Sequence, residues 1–156
     1  MKSHAYKATT TWTGDLGEGT ASYRSYARTH EVAIDGKPTL AGSADAAFRG
    51  DADRWNPEDC LISAISTCHM LWFLHLASDA GWIVRDYRDD AEAVMEMNED
   101  GSGQFASATL RPRVVISAGD LSLSDSLHHK AHQMCFIARS LNFGVACHAE
   151  VKMRQG

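Results

Sequence analysis

Among 156 residues there are only four cysteines, and no two of them form a CxxC. That spacing removes the main support for a zinc ribbon or a thioredoxin-like motif. Basic residues are outnumbered, fifteen to twenty, for a formal charge of −5, and no basic patch stands out. Nucleic acid and an anionic membrane surface are therefore not expected partners. No glycine-rich phosphate loop and no nucleophile elbow occur, and Gly17-Glu18-Gly19 lacks the downstream pattern of a nucleotide site. The opening Met1-Lys2-Ser3-His4 carries no apolar signal-peptide core, so a cytoplasmic protein is expected. What is present is ordinary for a soluble globular chain: 44% apolar and 22% charged residues. The length permits a core without staples, and one domain over residues 1–156 is expected, with no repeat.

The first third reads as strands: Ala5 to Trp12, Thr20 to Tyr26 and His30 to Ile34. A long polar loop follows, Ala41 to Trp55, of a length that is more often functional than filler. Asn56-Pro57-Glu58-Asp59 has the chemistry of a helix start, with an N-cap, a first-position proline and two carboxylates in the first turn. The helix should run to about Ser78 and stop at Gly81. Between Leu61 and Ala77 only Ser63, Ser66, Thr67, His69 and His75 are polar, which points to a buried central helix. The stretch reads as too short for a membrane span, which needs about 20 apolar residues.

Trp82 to Met97 reads as a strand, Asn98 to Gly103 as a hairpin turn, and Phe105 to Ser117 as the return, with Pro112 marking an edge or a bulge. Asp125 should cap a second helix, Ser126 to Leu141, before a last strand from Val145 to Met153. The order predicts an α+β fold: an antiparallel sheet, a buried central helix and a second helix packed on it.

Cys60 and Cys68 share the first helix, about 12 Å apart along its axis, too far for a disulfide. Cys60 reads as core filler. Cys68 and Cys135 each fall mid-helix, and side chains in the seam between two packed helices can meet. Residue types alone leave three readings open. The pair can be inert core thiols, or it can be redox-active. Alternatively, His128, His132 and Cys135, on one face of the second helix, can hold zinc or iron with Cys68 or His69 completing the shell.

Asn56-Pro57-Glu58-Asp59-Cys60-Leu61, with Cys68 ten residues after Glu58, resembles the OsmC/Ohr family of thiol peroxidases. Ala131-His132-Gln133-Met134-Cys135 resembles the family's second cysteine motif, and Asn142-Phe143-Gly144-Val145 the strand entry after it. The resemblance implies an OsmC-like fold, an intertwined homodimer with sites at the subunit interface, and reduction of small organic hydroperoxides without a cofactor. It implies that Cys68 is the peroxidatic thiol and Cys135 the resolving one. A dithiol, such as that of a lipoylated protein, would then regenerate the pair. Glu58 matches the family carboxylate that orients an arginine, and Arg49 or Arg28 would supply that cation, with Arg54 the third candidate. Ten residues of helix span about 15 Å, so either the arginine bridges a long gap or Glu58 serves the Cys68 of the other subunit, and the second agrees with an interface site. Phe136 and His69 stand where relatives often have proline and an aromatic residue.

Overall fold

In the computed structural model of the chain, which describes residues 1–155, the long helix opens as its sequence dictates. The Asp59 N–H donates to Asn56 Oδ1 at 2.7 Å, and the Asn56 N–H donates back to the Asp59 carboxylate at 3.4 Å. This reciprocal cap satisfies donors that the first turn leaves orphaned. Helix α1 then runs Pro57–Asp79. It ends where Gly81 takes a φ of +77°, with its N–H on the Ser78 carbonyl and the Trp82 N–H on Ala77. A side chain at Gly81 would pay for that left-handed turn, which a glycine adopts freely.

One stripe of α1 is fully covered: Ile65, His69, Phe73 and Ala77, four residues apart throughout. The expectation of a helix buried all round is corrected here, because Leu71 stays 63% exposed and most other apolar residues of α1 are only half-buried. Burying every face needs several covering surfaces, and the chain fully covers one. The expected shortness is corrected too. The helix has 23 residues with an 18-residue stretch of mean hydropathy 1.5, long and apolar enough to cross a membrane by length and composition only.

The chain divides into two compact units, Met1–Leu61 and Ile62–Gly156. In the first, strands β1 (Thr9–Trp12), β2 (His30–Ala33) and β3 (Leu40–Gly42) form an antiparallel sheet in that order. The strand expected over Thr20 to Tyr26 is absent. Asp15 accepts from the N–H groups of Gly17 and Gly19 at 2.8 and 2.9 Å, which folds the approach into turns and leaves only an isolated bridge from Asp15 to Tyr26.

In the second unit each expected long strand breaks in two. The pieces are β4 (Ile83–Asp89) and β5 (Glu92–Met97), β6 (Gly103–Leu110) and β7 (Pro112–Ala118), and β8 (Gly144–Cys147) and β9 (Glu150–Met153). The halves go to different sheets, ordered β4-β7-β9 and β5-β6-β8. Pro112 is the first residue of the central strand β7, a position that needs no ladder donor, rather than an edge. The expected antiparallel sheet is corrected to mixed ones: β8 runs parallel to β6, and β9 parallel to β7. A helical crossover makes parallel pairing possible, and helix α2 (Ser124–Met134) lies between β7 and β8 in the chain.

Helix α2 is shorter than its sequence suggests. Asp120, not Asp125, supplies the capping carboxylate, accepting from the Ser122 N–H at 2.9 Å to start the turn that leads into α2. Phe73, Ala77, Trp82, Val114, Ile116 and Ala131 form the core of the second unit. His69 and His128 are buried beside it, and His128 stacks on Phe73 at 4.0 Å.

Phe73 has no exposed surface, so Phe73→Ala is expected to cost about 3–5 kcal/mol, read as a lower urea midpoint at unchanged slope. Burial also holds both histidines below the ordinary imidazole value, His69 to about 4 and His128 to about 3. Asp89 offsets part of this at His69, while His132 and the His69–His128 pairing add to it, and Cys147 is the other titratable group against both rings. The unfolded chain therefore binds protons below about pH 6.5 that the native chain refuses. Stability is full above that value and falls as the pH drops toward about 4, by on the order of 1 kcal/mol per pH unit for each ring. Urea midpoints at about pH 7 and about pH 5, with metal removed by EDTA, measure it; equal midpoints would contradict the burial.

Candidate functional site

The two cysteines singled out from the sequence come together. Cys68 is half-buried on α1, and Cys135 is 1% exposed just beyond the end of α2. The Cys68 thiol is close enough to Cys135 to help hold its proton. Burial first, and the Cys68 contact second, push the Cys135 thiol up to about 11. All four cysteines are free.

Cys135 is not mid-helix as expected. Its backbone, at φ −67° and ψ 110°, is extended and breaks α2 at Met134. A local bond to the following turn competes with the helix: the Ala138 N–H donates to Cys135 Sγ at 3.4 Å, and the Arg139 N–H to its carbonyl at 3.1 Å. The sulfur is thereby fixed by its own backbone. Beside the pair, Phe136 is 69% exposed and meets Trp72 edge-on with ring centres 5.6 Å apart. Trp72 stands one turn beyond Cys68 on the same side of α1, so an apolar rim flanks the sulfurs.

Glu58 is half-buried in the first turn of α1. In the first unit Arg28 is fully committed. Its guanidinium donates to the carbonyls of Tyr26 and Tyr23, both at 2.6 Å, and lies 4.1 and 4.2 Å from the centres of the same two rings. Arg49 takes a left-handed φ of +65° at the end of the short turn Ala46–Phe48. Its side chain is exposed and makes no hydrogen bond or ion pair among the described residues. Arg54 is half-buried.

The expected ligand set on one face of α2 is corrected. Cys135 has left the helix, and His128 faces His69, one of the two residues expected to complete the shell, together with Cys147. His128 Nδ1 lies 3.0 Å from His69 Nε2, and Cys147 Sγ lies 3.8 Å from His69 and 3.9 Å from His128. Burial pushes the Cys147 thiol up to about 11, with the Asp89 charge adding to it. His69 and Cys147 were not grouped by the sequence because 78 residues separate them. The available signal was the polar His69 at the centre of a four-residue apolar spacing between Ile65 and Phe73.

Residues 50–150 match the OsmC-like protein family. The chain is 24% identical over 111 residues to the uncharacterized protein YmaD of Bacillus subtilis, covering 69% of this chain and 73% of that one. It is similar to the solved structure of an OsmC-like protein of unknown function from Vibrio cholerae, at 29% identity and a TM-score of 0.86, covering 95% of this chain and all of the other. The fold also matches an organic hydroperoxide resistance protein from Elizabethkingia anophelis, at 17% identity and a TM-score of 0.68, over 98% and 99% of the two chains. With a family match across most of the chain, this protein belongs to the OsmC-like family.

Proposed function

We propose that the protein is a thiol-dependent peroxidase that reduces organic hydroperoxides at Cys68 and resolves the product with Cys135. The nearness of the two thiols carries this reading. The Cys68 thiolate attacks the distal peroxide oxygen, the O–O bond breaks, and the alkoxide leaves as an alcohol after taking a proton. Cys68 is left as a sulfenic acid. Cys135 then attacks that sulfur, forming the disulfide and releasing water. An external dithiol reduces the disulfide by exchange and is itself oxidised. The division of roles follows burial: the half-exposed sulfur meets the peroxide, and the buried one waits in contact with it. Trp72 and Phe136 favour an apolar alkyl or aryl group on the substrate, and a fold shared with a protein named for organic hydroperoxide resistance agrees.

Cys68→Ser should abolish peroxide turnover with a dithiol donor, while Cys60→Ser retains most of it. Cys135→Ser should still consume one equivalent of cumene hydroperoxide but accumulate a sulfenic acid that dimedone traps. Full turnover in Cys68→Ser would overturn the assignment.

Two copies of the chain complete the site. A helix as apolar as α1 that leaves Leu71 63% exposed needs further cover, and Glu58 stands ten residues along the same helix from Cys68. Of the three candidate arginines Arg28 is committed, while Arg49 and Arg54 make no side-chain hydrogen bond or ion pair among the described residues; the more exposed Arg49 is the partner assigned to Glu58. Co-expression of Glu58→Ala chains with Cys68→Ser chains checks the sharing. If the site is shared, mixed dimers carry one intact site and one doubly defective site, and recover about half the activity of a normal dimer. Mixed dimers as inactive as both parents would place Glu58 and Cys68 of one chain in the same site.

A further inference from the structure

A second cluster lies outside this chemistry. One ligand-type atom from each of α1, α2 and β8 converges: His69 Nε2, His128 Nδ1 and Cys147 Sγ, all within 4.8 Å of one another. The two imidazoles are tilted by only 6° with centres 5.3 Å apart, so they meet edge to edge through one N–H···N bond. That bond uses one ring proton. The other proton sits on an outer nitrogen, and the remaining outer nitrogen is bare. Neither outer atom, His69 Nδ1 nor His128 Nε2, has a partner, although both are buried.

A cysteine beside two histidines can be a nucleophile, but this one is badly placed for that. An activated pair would be thiolate and imidazolium, and burial opposes both charges. Neutral imidazoles with lone pairs and a thiol able to lose its proton are the donor set of a metal site.

We propose that His69, His128 and Cys147 bind a borderline-soft transition-metal ion of the Zn²⁺ class. With metal–nitrogen bonds of about 2.05 Å and a metal–sulfur bond of about 2.3 Å, the present spacings give roughly 94° between the nitrogens and about 125° from sulfur to each nitrogen. Each ring must swing by roughly 40° to turn its lone pair from the other ring toward the ion, as the same bond lengths require. The fourth position goes to water. A cavity of about 570 Å³, lined in part by His128, His132, Asp125 and Cys147, provides that water and the route of entry. The proton balance is fixed: the shared ring proton moves to the bare outer nitrogen, and the thiol proton leaves. One proton is released for each ion bound. The site then carries a net charge of +1, and the Asp89 carboxylate, whose field reaches both His69 and Cys147, offsets it.

This site does not depend on the peroxidase reading, and its test uses different thiols. In Cys60→Ser/Cys68→Ser/Cys135→Ser, Cys147 is the sole cysteine, so any thiolate-to-cobalt charge-transfer band on adding Co²⁺ comes from it. Expected are that band and one Zn²⁺ per chain by competition with a chromogenic chelator. Calorimetry in buffers of different ionisation enthalpy should return one proton released. In the otherwise intact chain, Cys147→Ser should weaken Zn²⁺ binding by more than about 100-fold, the upper range for losing a mere outer-shell partner, with unchanged far-UV circular dichroism. The proposal is overturned if the intact chain binds no Zn²⁺, if Cys147→Ser binds it as tightly, or if the cobalt band follows Cys68 and Cys135 instead. Should the triple variant not fold, the intact chain and Cys147→Ser decide the matter by the same two readouts.

Discussion

Everything in the second unit is set by which stripe of α1 is turned inward. Ile65, His69, Phe73 and Ala77 recur every fourth residue, and their burial fixes the rotation of the helix about its axis. Cys68 precedes a buried stripe position, so its side chain is turned about 100° from the stripe and emerges at its edge, half-buried. Rotating the helix by one residue would bury Cys68 and expose His69. The apolar core, through Phe73 and Ala77, holds that rotation against Val114, Ile116 and Ala131. The position of the candidate nucleophile is thus a consequence of packing several residues away from it.

The other sulfur is positioned by a different device. Had α2 continued through residue 141, as its apolar periodicity suggests, Cys135 would have been one more side chain on a helix face. It is instead the point where the helix stops, with its sulfur and carbonyl both accepting from the next turn. A sulfur tied to its own backbone has few alternative rotamers, which favours reaction with one fixed neighbour. Helical periodicity could not reveal this, because Ala138 and Leu141 keep the apolar spacing while the backbone has already turned.

Legibility followed the range of the interactions. The start and stop of α1 were readable because Asn56, Asp59 and Gly81 act within a few residues of themselves. The hairpin at Asn98–Gly103 was readable for the same reason. The strand breaks at Asp90-Ala91 and Arg111 were not, since an alternating pattern runs through them and only pairing with distant strands decides the sheet. Parallel pairing of β8 and β9 was equally invisible, because it is set by a crossover and not by local residues. Motif spacing paired Cys68 with Cys135, which do lie near one another, but not His69 with Cys147, which share no local pattern at all.

The two sulfur sites of the second unit are treated oppositely by the same physical force. Desolvation raises both Cys135 and Cys147 to about 11, but the neighbours differ. Cys135 sits beside another thiol, which adds to burial in holding its proton. Cys147 meets two imidazoles that burial also keeps neutral, so its proton has no base to go to within the cluster. Only a cation can supply the charge that makes a thiolate stable there. The proposed redox partner and the proposed ligand are thus cysteines of equal acidity, and the atom opposite each sulfur makes the difference.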